Sequence, residues 1–151
     1  MRAGKSSIAV LTLLFATMTV CEAQWVAVAR AVSGRIQQMQ QTNSSGTGGY
    51  DVGVVVIEAP AQKVYETAVQ RLQAHANQVK VLKENASKRT VAFTNGTLTA
   101  SLQANPLGDK LTQLVVASTL DPTQPSATSL VIKSIEQVCA ELKVECTLEN
   151  Q

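Results

Sequence analysis

The chain has 151 residues, of which 45% are hydrophobic and 16% are charged, and its 13 basic and 11 acidic residues give a formal net charge of +2. So small an excess of positive charge supplies no field that would attract nucleic acid or an anionic membrane. With 1 Trp, 2 Tyr and 2 Phe, the chain also has few rings on which bases could stack. We therefore predict no nucleic-acid partner and a single small domain.

The N-terminus has the pattern of a secretory signal peptide. Arg2 and Lys5 precede an apolar stretch over residues 8–20. At about 1.5 Å per residue this stretch makes roughly 20 Å of helix, too short for a hydrocarbon core of about 30 Å. We predict that residues 1–23 are removed and that the protein is secreted or periplasmic. A later cut within residues 27–29 and an uncleaved anchor are the alternatives.

Cys21 raises a second possibility for the same segment. A cysteine at the end of an apolar stretch is where a bacterial lipoprotein carries its lipid. That processing requires a small residue before the cysteine, and Val20 stands there. A membrane-anchored lipoprotein is therefore the alternative to a secreted or periplasmic protein, and a membrane is a partner only in that case.

Residues 24–50 are predicted to precede the folded domain. Four apolar residues at spacings of three and four predict an amphipathic helix between Gln24 and Gln41. They are Val28, Val32, Ile36 and Met39. The Gly/Ser-rich residues 43–49 are typical of a flexible linker. The helical segment is either a partly ordered tail or a helix that packs on the domain or on a partner.

The domain itself is predicted over residues 51–151 and begins with a strand. Residues 51–58 are rich in β-branched side chains on both faces, which is typical of a central strand. Pro60 suits the first position of a helix. From there to Asn77 the apolar residues follow the helical period, as expected of an amphipathic helix on a sheet.

Four further strands are predicted in succession, over residues 79–84, 89–94, 97–104 and 111–120. Asn95-Gly96 between the second and third predicts a type I′ hairpin turn. The clean alternation of the third strand indicates one buried face and one solvated face.

A last helix is predicted after residues 121–125, with Ser126 as its N-cap. The predicted fold is therefore α+β. An antiparallel sheet of about five strands, in the order strand, helix, four-strand meander and helix, carries both helices on one face.

Residues 54–65 resemble two known patterns. One is the start of the helix-grip (START and Bet v 1-like) fold, in which a strand ends in a similar Ala-Pro turn and helix. The other is a family of small exported bacterial proteins, often lipoproteins, of unknown function. It is similar over residues 51–142, including the Pro-Leu-Gly-Asp turn at 106–109 and the strand at 111–116. This second resemblance implies a fold and a cell-envelope location, and it implies no catalytic residues.

Cys139 and Cys146 are the two cysteines that remain once the signal peptide is removed. In an oxidising compartment such a pair indicates a disulfide. Cys139 falls on the apolar stripe of the last helix and Cys146 follows the end of that helix. A chain that folds back there brings the two together. Two free thiols are the main alternative, and a redox centre is disfavoured because the spacing is not Cys-x-x-Cys.

No catalytic, cofactor or metal site is predicted. His75, the sole histidine, falls near the end of the first helix, where the helix dipole favours a partly charged imidazole. We prefer that interpretation to a general base. One histidine and two separated cysteines cannot supply a zinc site, and no phosphate-binding glycine loop is present.

Three functional hypotheses follow. The first is a non-enzymatic envelope protein, a binding or structural module that acts on a protein partner through its sheet or N-terminal segment. The second is a carrier of a small apolar ligand held between the helices and the sheet. The third, disfavoured because no catalytic motif is found, is an enzyme. Alanines at positions 61, 68, 76, 100 and 104 permit either close packing or a ligand cavity, and we expect close packing.

Overall fold

A mixed sheet of seven strands and two helices make up the residues that the computed structural model describes, which are 33–42, 49–120 and 129–148. The strands are β1 (Arg35–Thr42), β2 (Gly49–Ile57), β3 (Lys80–Asn85), β4 (Thr90–Thr94), β5 (Thr99–Pro106), β6 (Thr112–Thr119) and β7 (Thr147–Leu148). The helices are α1 (Ala61–Ala74) and α2 (Leu130–Leu142). Across the sheet the order is β3-β4-β5-β6-β2-β1-β7.

The N-terminal predictions lie largely outside these residues. The predicted signal peptide, Cys21 and the predicted N-cap Ser126 are not among the described residues. Within the described ranges, neither helix has the length and apolarity needed to cross a membrane.

The α+β class is confirmed, but the five-stranded antiparallel sheet was wrong. Two additional strands, β1 and β7, extend the sheet beyond β2, and β7 runs parallel to β1. The other neighbouring strands pair antiparallel. The four-strand meander is present as β3 to β6, and β2 lies between β6 and β1.

Strand β1 occupies residues that we had predicted to be helical. Ile36 is fully buried while Arg35, Gln37 and Met39 are exposed, so burial alternates as in a strand. Glutamine side chains are compatible with a helix or a strand, so the helix was predicted from the apolar spacing alone, and that prediction was wrong. The antiparallel pairing with β2, in which Gln37 faces Val54, satisfies the backbone groups of the segment and decides the outcome.

Both helices pack on one face of the sheet, where the central strands place their buried side chains. These strand residues are Val55, Ile57, Val91, Phe93, Ala100, Leu102, Ala104, Leu114 and Val116. The helices contribute Val64, Ala68, Val69, Val131, Ile132, Ile135 and Val138 to the same core. The sheet and the two helices thus form a two-layer structure.

Gly53 allows α2 to lie close to β2. A Cβ atom at this position would stand 2.6 Å from Val131 Cγ1 and 2.7 Å from Ile135 Cδ1. Carbon atoms in contact are normally about 3.5–4.0 Å apart. A glycine in an otherwise β-branched strand therefore marks the place where the helix approaches the backbone.

The hairpin between β4 and β5 forms at the predicted place, but not with the predicted turn. A type I′ turn requires positive φ at both central residues. Gly96 has a φ of +93°, whereas Asn95 is not among the residues with positive φ. Instead the Asn95 side-chain oxygen accepts hydrogen bonds from the backbone N–H groups of Thr97 at 3.0 Å and Leu98 at 2.8 Å. Asparagine closes this turn through its side chain.

Helix α2 is bounded by an N-terminal cap and by a left-handed residue at its C-terminus, after which a disulfide holds the C-terminal segment. Its N-cap is Ser129, whose hydroxyl oxygen accepts a hydrogen bond from Ile132 N–H, so the helix begins later than predicted. Lys143 adopts the left-handed conformation at the C-terminus. The chain then turns back, and Cys146 forms a disulfide with Cys139 at a Cα–Cα distance of 6.0 Å. This link holds β7 beside β1.

Candidate functional site

A cavity of about 230 Å³ opens between α1, α2 and the inner face of the sheet. At about 30 Å³ per water molecule it has room for roughly eight water-sized groups. Its apolar lining is formed by Ala68, Leu72, Val79, Phe93, Leu102, Leu130 and Val138. Ligand pockets usually start near ~300 Å³, so this is a small site that is open on one side.

The helical period brings its lining residues together. Ala68, Arg71, Leu72 and His75 on α1 and at its C-cap are separated by three or four positions and therefore share one side of that helix. Leu130, Ser134 and Val138 do the same on α2. The cavity lies where these two sides face each other above the sheet.

Polar side chains surround the outer part of the cavity. They are Arg71, His75, Gln78, Asn95, Lys133, Ser134 and Gln137. The set contains an arginine, a lysine and the sole histidine, and among the described residues no aspartate or glutamate lines the cavity. The Ser134 hydroxyl is already engaged, because it donates to the Leu130 carbonyl at 2.7 Å.

Two buried nitrogen atoms in this set lack a hydrogen-bond partner in the structure. They are Arg71 Nε and His75 Nε2. Arg71 has one ion pair, in which its Nη1 lies 3.7 Å from Glu141 Oε2, and the Glu141 side chain is 54% exposed. A pair that long and that exposed is weak. Buried polar atoms without partners are uncommon in folded proteins and call for an explanation.

His75 occupies the helix end, as the sequence indicated. It is the C-cap residue of α1, and its backbone N–H donates to the carbonyls of Arg71 and Leu72. The sequence did not show that its ring would line a cavity beside Arg71. Their spacing of four residues was the available signal, since such residues are neighbours on a helix.

A second buried polar cluster lies at the other end of α2 from the disulfide. Asp51 is 2% exposed, and its Oδ1 accepts a hydrogen bond from Gln38 Nε2 at 2.8 Å. The same Gln38 nitrogen lies 3.3 Å from Ser129 Oγ, while Asp51 Oδ2 has no hydrogen-bond partner among the described residues. The adjoining space of about 10 Å³ is near the minimum for one water molecule. This cluster holds β1, β2 and the start of α2 together.

Tyr65 forms a third buried polar contact, away from the cavity. Its hydroxyl donates to Glu84 Oε1 at 2.7 Å and thereby links α1 to β3. Burial, and then the hydrogen bond and the negative charge of Glu84, raise the pKa of Tyr65 to about 12.

The remaining sequence candidates do not contribute to the cavity. Cys139 and Cys146 are joined to each other and do not line it. Across residues 33–42, 49–120 and 129–148, no three His, Cys, Asp or Glu side chains lie close enough to form a metal site.

No protein-family model matches the chain, and no curated protein matches its sequence. Among solved structures it is similar to EF2215 from Enterococcus faecalis, a conserved protein of unknown function, with 14% identity and a TM-score of 0.49 over 70% of this chain and 74% of that one. It is also similar to the Zhui aromatase/cyclase from Streptomyces sp. R1128, with 16% identity and a TM-score of 0.40 over 64% of this chain and 85% of that one. A third is the di-domain ARO/CYC StfQ from the steffimycin biosynthetic pathway, with 12% identity and a TM-score of 0.42 over 59% and 42%.

These matches correct one prediction. We had predicted that the domain is not an enzyme, and this exclusion is wrong, because the structures it resembles include aromatase/cyclases, which are enzymes. The exclusion depended on finding no catalytic motif in the sequence. Identities of 12% to 16% are too low to transfer an activity in the other direction.

The structure and the comparisons support one of the two sequence resemblances and not the other. The helix-grip resemblance agrees with the described architecture, in which a helix follows the Ala-Pro turn and a C-terminal helix lies against the sheet. No family model supports the resemblance to exported bacterial proteins.

Proposed function

We propose that the domain binds a small, mainly apolar molecule in the cavity between α1, α2 and the sheet. The observation that supports this proposal is the cavity itself, which has an apolar inner wall formed by residues of both helices and the sheet. Ligand sites are commonly concave and apolar, with a few polar groups that fix orientation. The cavity favours this hypothesis over a module that acts only through its outer surface.

The volume sets the size of the ligand. Roughly eight water-sized groups correspond to a molecule on the order of ten non-hydrogen atoms, and a longer molecule would extend through the open side. At about −0.5 kcal/mol per atom, within the usual range for small ligands, such a molecule would bind with a Kd on the order of 10⁻⁴ M. A neutral probe of this size is 4-phenylbutyramide.

Binding is tested by titrating the full chain with 4-phenylbutyramide and following backbone amide shifts by NMR. We expect saturable shifts centred on Phe93, Leu102 and Val138. Ala68→Leu adds three carbon atoms inside the cavity, which is on the order of a third of its volume, and should weaken binding at least tenfold.

The matched control is Ala74→Leu, the same change on the same helix at an exposed position that does not line the cavity. It should bind the probe as the unaltered chain does, and thermal unfolding checks that both variants fold. The absence of saturable shifts at millimolar probe, or equal binding by both variants, would contradict the proposal.

We also propose that the protein is exported, on the strength of the charged start and short apolar stretch before residue 24. Intact mass of the protein recovered from its host tests this. A chain starting at Gln24 supports cleavage, a chain starting at Cys21 with added acyl mass supports the lipoprotein alternative, and an intact Met1 contradicts both.

A further inference from the structure

We propose that the ligand of this cavity is an amphipathic anion, such as an aromatic or alkyl carboxylate, whose anionic group is bound by Arg71 and His75 with Lys133 opposite. This inference rests on the proposed function and adds the chemical class of the ligand. It implies that the apolar part of the molecule lies against Phe93 and Leu102.

The first support is the state of the two nitrogen atoms on α1. Arg71 Nε and His75 Nε2 are buried and have no hydrogen-bond partner in the structure. The Arg71 Nε–H group can only donate, so it requires an acceptor. Because the two residues are four positions apart, one carboxylate can accept from both when His75 carries its proton on Nε2.

The second support is the charge of the lining. Arg71 and Lys133 line the cavity from the two helices, and no acidic side chain of residues 33–42, 49–120 or 129–148 lines it. Gln78, Asn95 and Gln137 add neutral side chains that are able to donate. An anion would therefore find cations and donors on both sides, whereas a cation would find no counter-charge among the described lining residues.

Glu141 is an anion that already pairs with Arg71, and it leaves the site available. It contacts Arg71 only at Nη1, at 3.7 Å, and its side chain is more than half exposed. An arginine has five N–H donors, and the one on Nε has no acceptor in the structure, so Arg71 retains donors for a ligand. A carboxylate sheltered from water would be held more strongly than this exposed partner.

The helix dipoles do not decide the charge of the ligand. The first turn of α2, with Leu130 and Lys133, presents the end of a helix that favours anions. The last turn of α1, with Arg71, presents the end that favours cations. Since these two contributions oppose each other, the side-chain charges provide the discrimination.

The test uses three probes with one skeleton. The full chain is titrated with 4-phenylbutyrate, 4-phenylbutyramide and 4-phenylbutylamine, which differ in charge and little in size. We expect the carboxylate to bind at least tenfold more tightly than the amide, equivalent to about 1.4 kcal/mol, and the amine to bind more weakly than the amide.

Two variants locate the effect. Arg71→Gln should reduce the advantage of the carboxylate over the amide to less than threefold. Lys133 is exposed, so Lys133→Gln should leave the fold intact. This variant should reduce the advantage of the carboxylate over the amide by about threefold. Lys63→Gln removes the same charge from an exposed site of α1 that does not line the cavity and should leave the ratio unchanged.

The outcomes separate the inference from the proposed function. Equal binding of carboxylate and amide would overturn the anionic class and leave apolar ligand binding intact. An undiminished carboxylate advantage in Arg71→Gln and Lys133→Gln would overturn the assignment of the anion to these residues. If none of the three probes binds, both proposals fail.

Discussion

Tyr65 provides a quantitative test of the packing between α1 and β3. Its side chain is 2% exposed, and its hydroxyl donates to Glu84. These contacts raise its pKa from 10.0 to about 12. Below pH 10 the phenol is protonated in both the folded and the unfolded chain, so the stabilising effect is fully present there. Above about pH 10 the unfolded chain loses its proton while the folded chain keeps it until about pH 12, so stability falls across this window.

The expected magnitude follows from the shift. One pKa unit corresponds to about 1.36 kcal/mol, so the stability lost through Tyr65 should be roughly 1.4 kcal/mol at about pH 11 and should approach roughly 2.7 kcal/mol above pH 12. The measurement is urea unfolding at several pH values between about 9 and 11.5. Tyr65→Phe cannot titrate, so the difference between the two profiles removes the effect of the lysines that ionise in the same range.

The two profiles should approach each other and then cross with rising pH, because only the unaltered chain loses stability through the ionisation of Tyr65. Near neutral pH the variant should be less stable by about 1 kcal/mol, because it lacks the hydrogen bond to Glu84. Parallel profiles between pH 9 and 11.5 would refute the reasoning, since they would mean that the phenol is neither desolvated nor held by the carboxylate.

Two other predictions concern α2 and its ends. Gly53→Ala should lower the free energy of unfolding by about 1–2 kcal/mol. The new methyl group overpacks the contact with α2, and this cost is larger than the stabilisation gained because alanine restricts the unfolded chain. Gly108→Ala, where a Cβ meets nothing within 4 Å, is the control, and equal effects at both sites would contradict close helix packing. Cys146→Ala should lower stability by about 2 kcal/mol, since the disulfide closes a short loop with a separation of 7 residues. Reductant should bring the unaltered chain to the stability of this variant and leave the variant unchanged; a reductant-insensitive chain would contradict the link to Cys139.

The parts of the fold that could be predicted are those where the hydrophobic period and the turn residues that bound the segment indicate the same structure. The alternation over residues 99–106 and the helical stripe beginning at Ala61 each match one regular structure and bury one face. Strand β1 could not be predicted in this way, because it buries a single apolar side chain, Ile36, and its glutamines fit either period. Its conformation depends on pairing with β2, which is a tertiary property that local pattern does not contain.

The site was predictable in part. The sequence indicated a space between the helices and the sheet as one of two outcomes, and we expected close packing instead. The sequence did not predict that Arg71, His75 and Lys133 lie near one another. Arg71 is off the apolar stripe of its helix, and residues in such positions are usually solvated. Long side chains at the margin of a stripe reach back towards the core, and sequence period does not show which of them do so.

The alanines explain why the cavity lies where it does. Ala61, Ala100 and Ala104 are buried in the closely packed core, so small side chains there bring helix and sheet together. Ala68 stands at the point where burial along α1 begins to decline, since the side chains at positions 67–69 are buried and those at positions 70–75 are half-buried or exposed. A small residue at such a point leaves a gap, and Leu72, one turn further along α1, forms part of the wall of this gap. A domain selected for stability alone would gain by filling this gap, as cavities and unpaired buried nitrogens both destabilise a fold. Here a cavity and two unpaired buried nitrogens occur in the same place. We expect this combination where a binding site is maintained at a cost in packing stability.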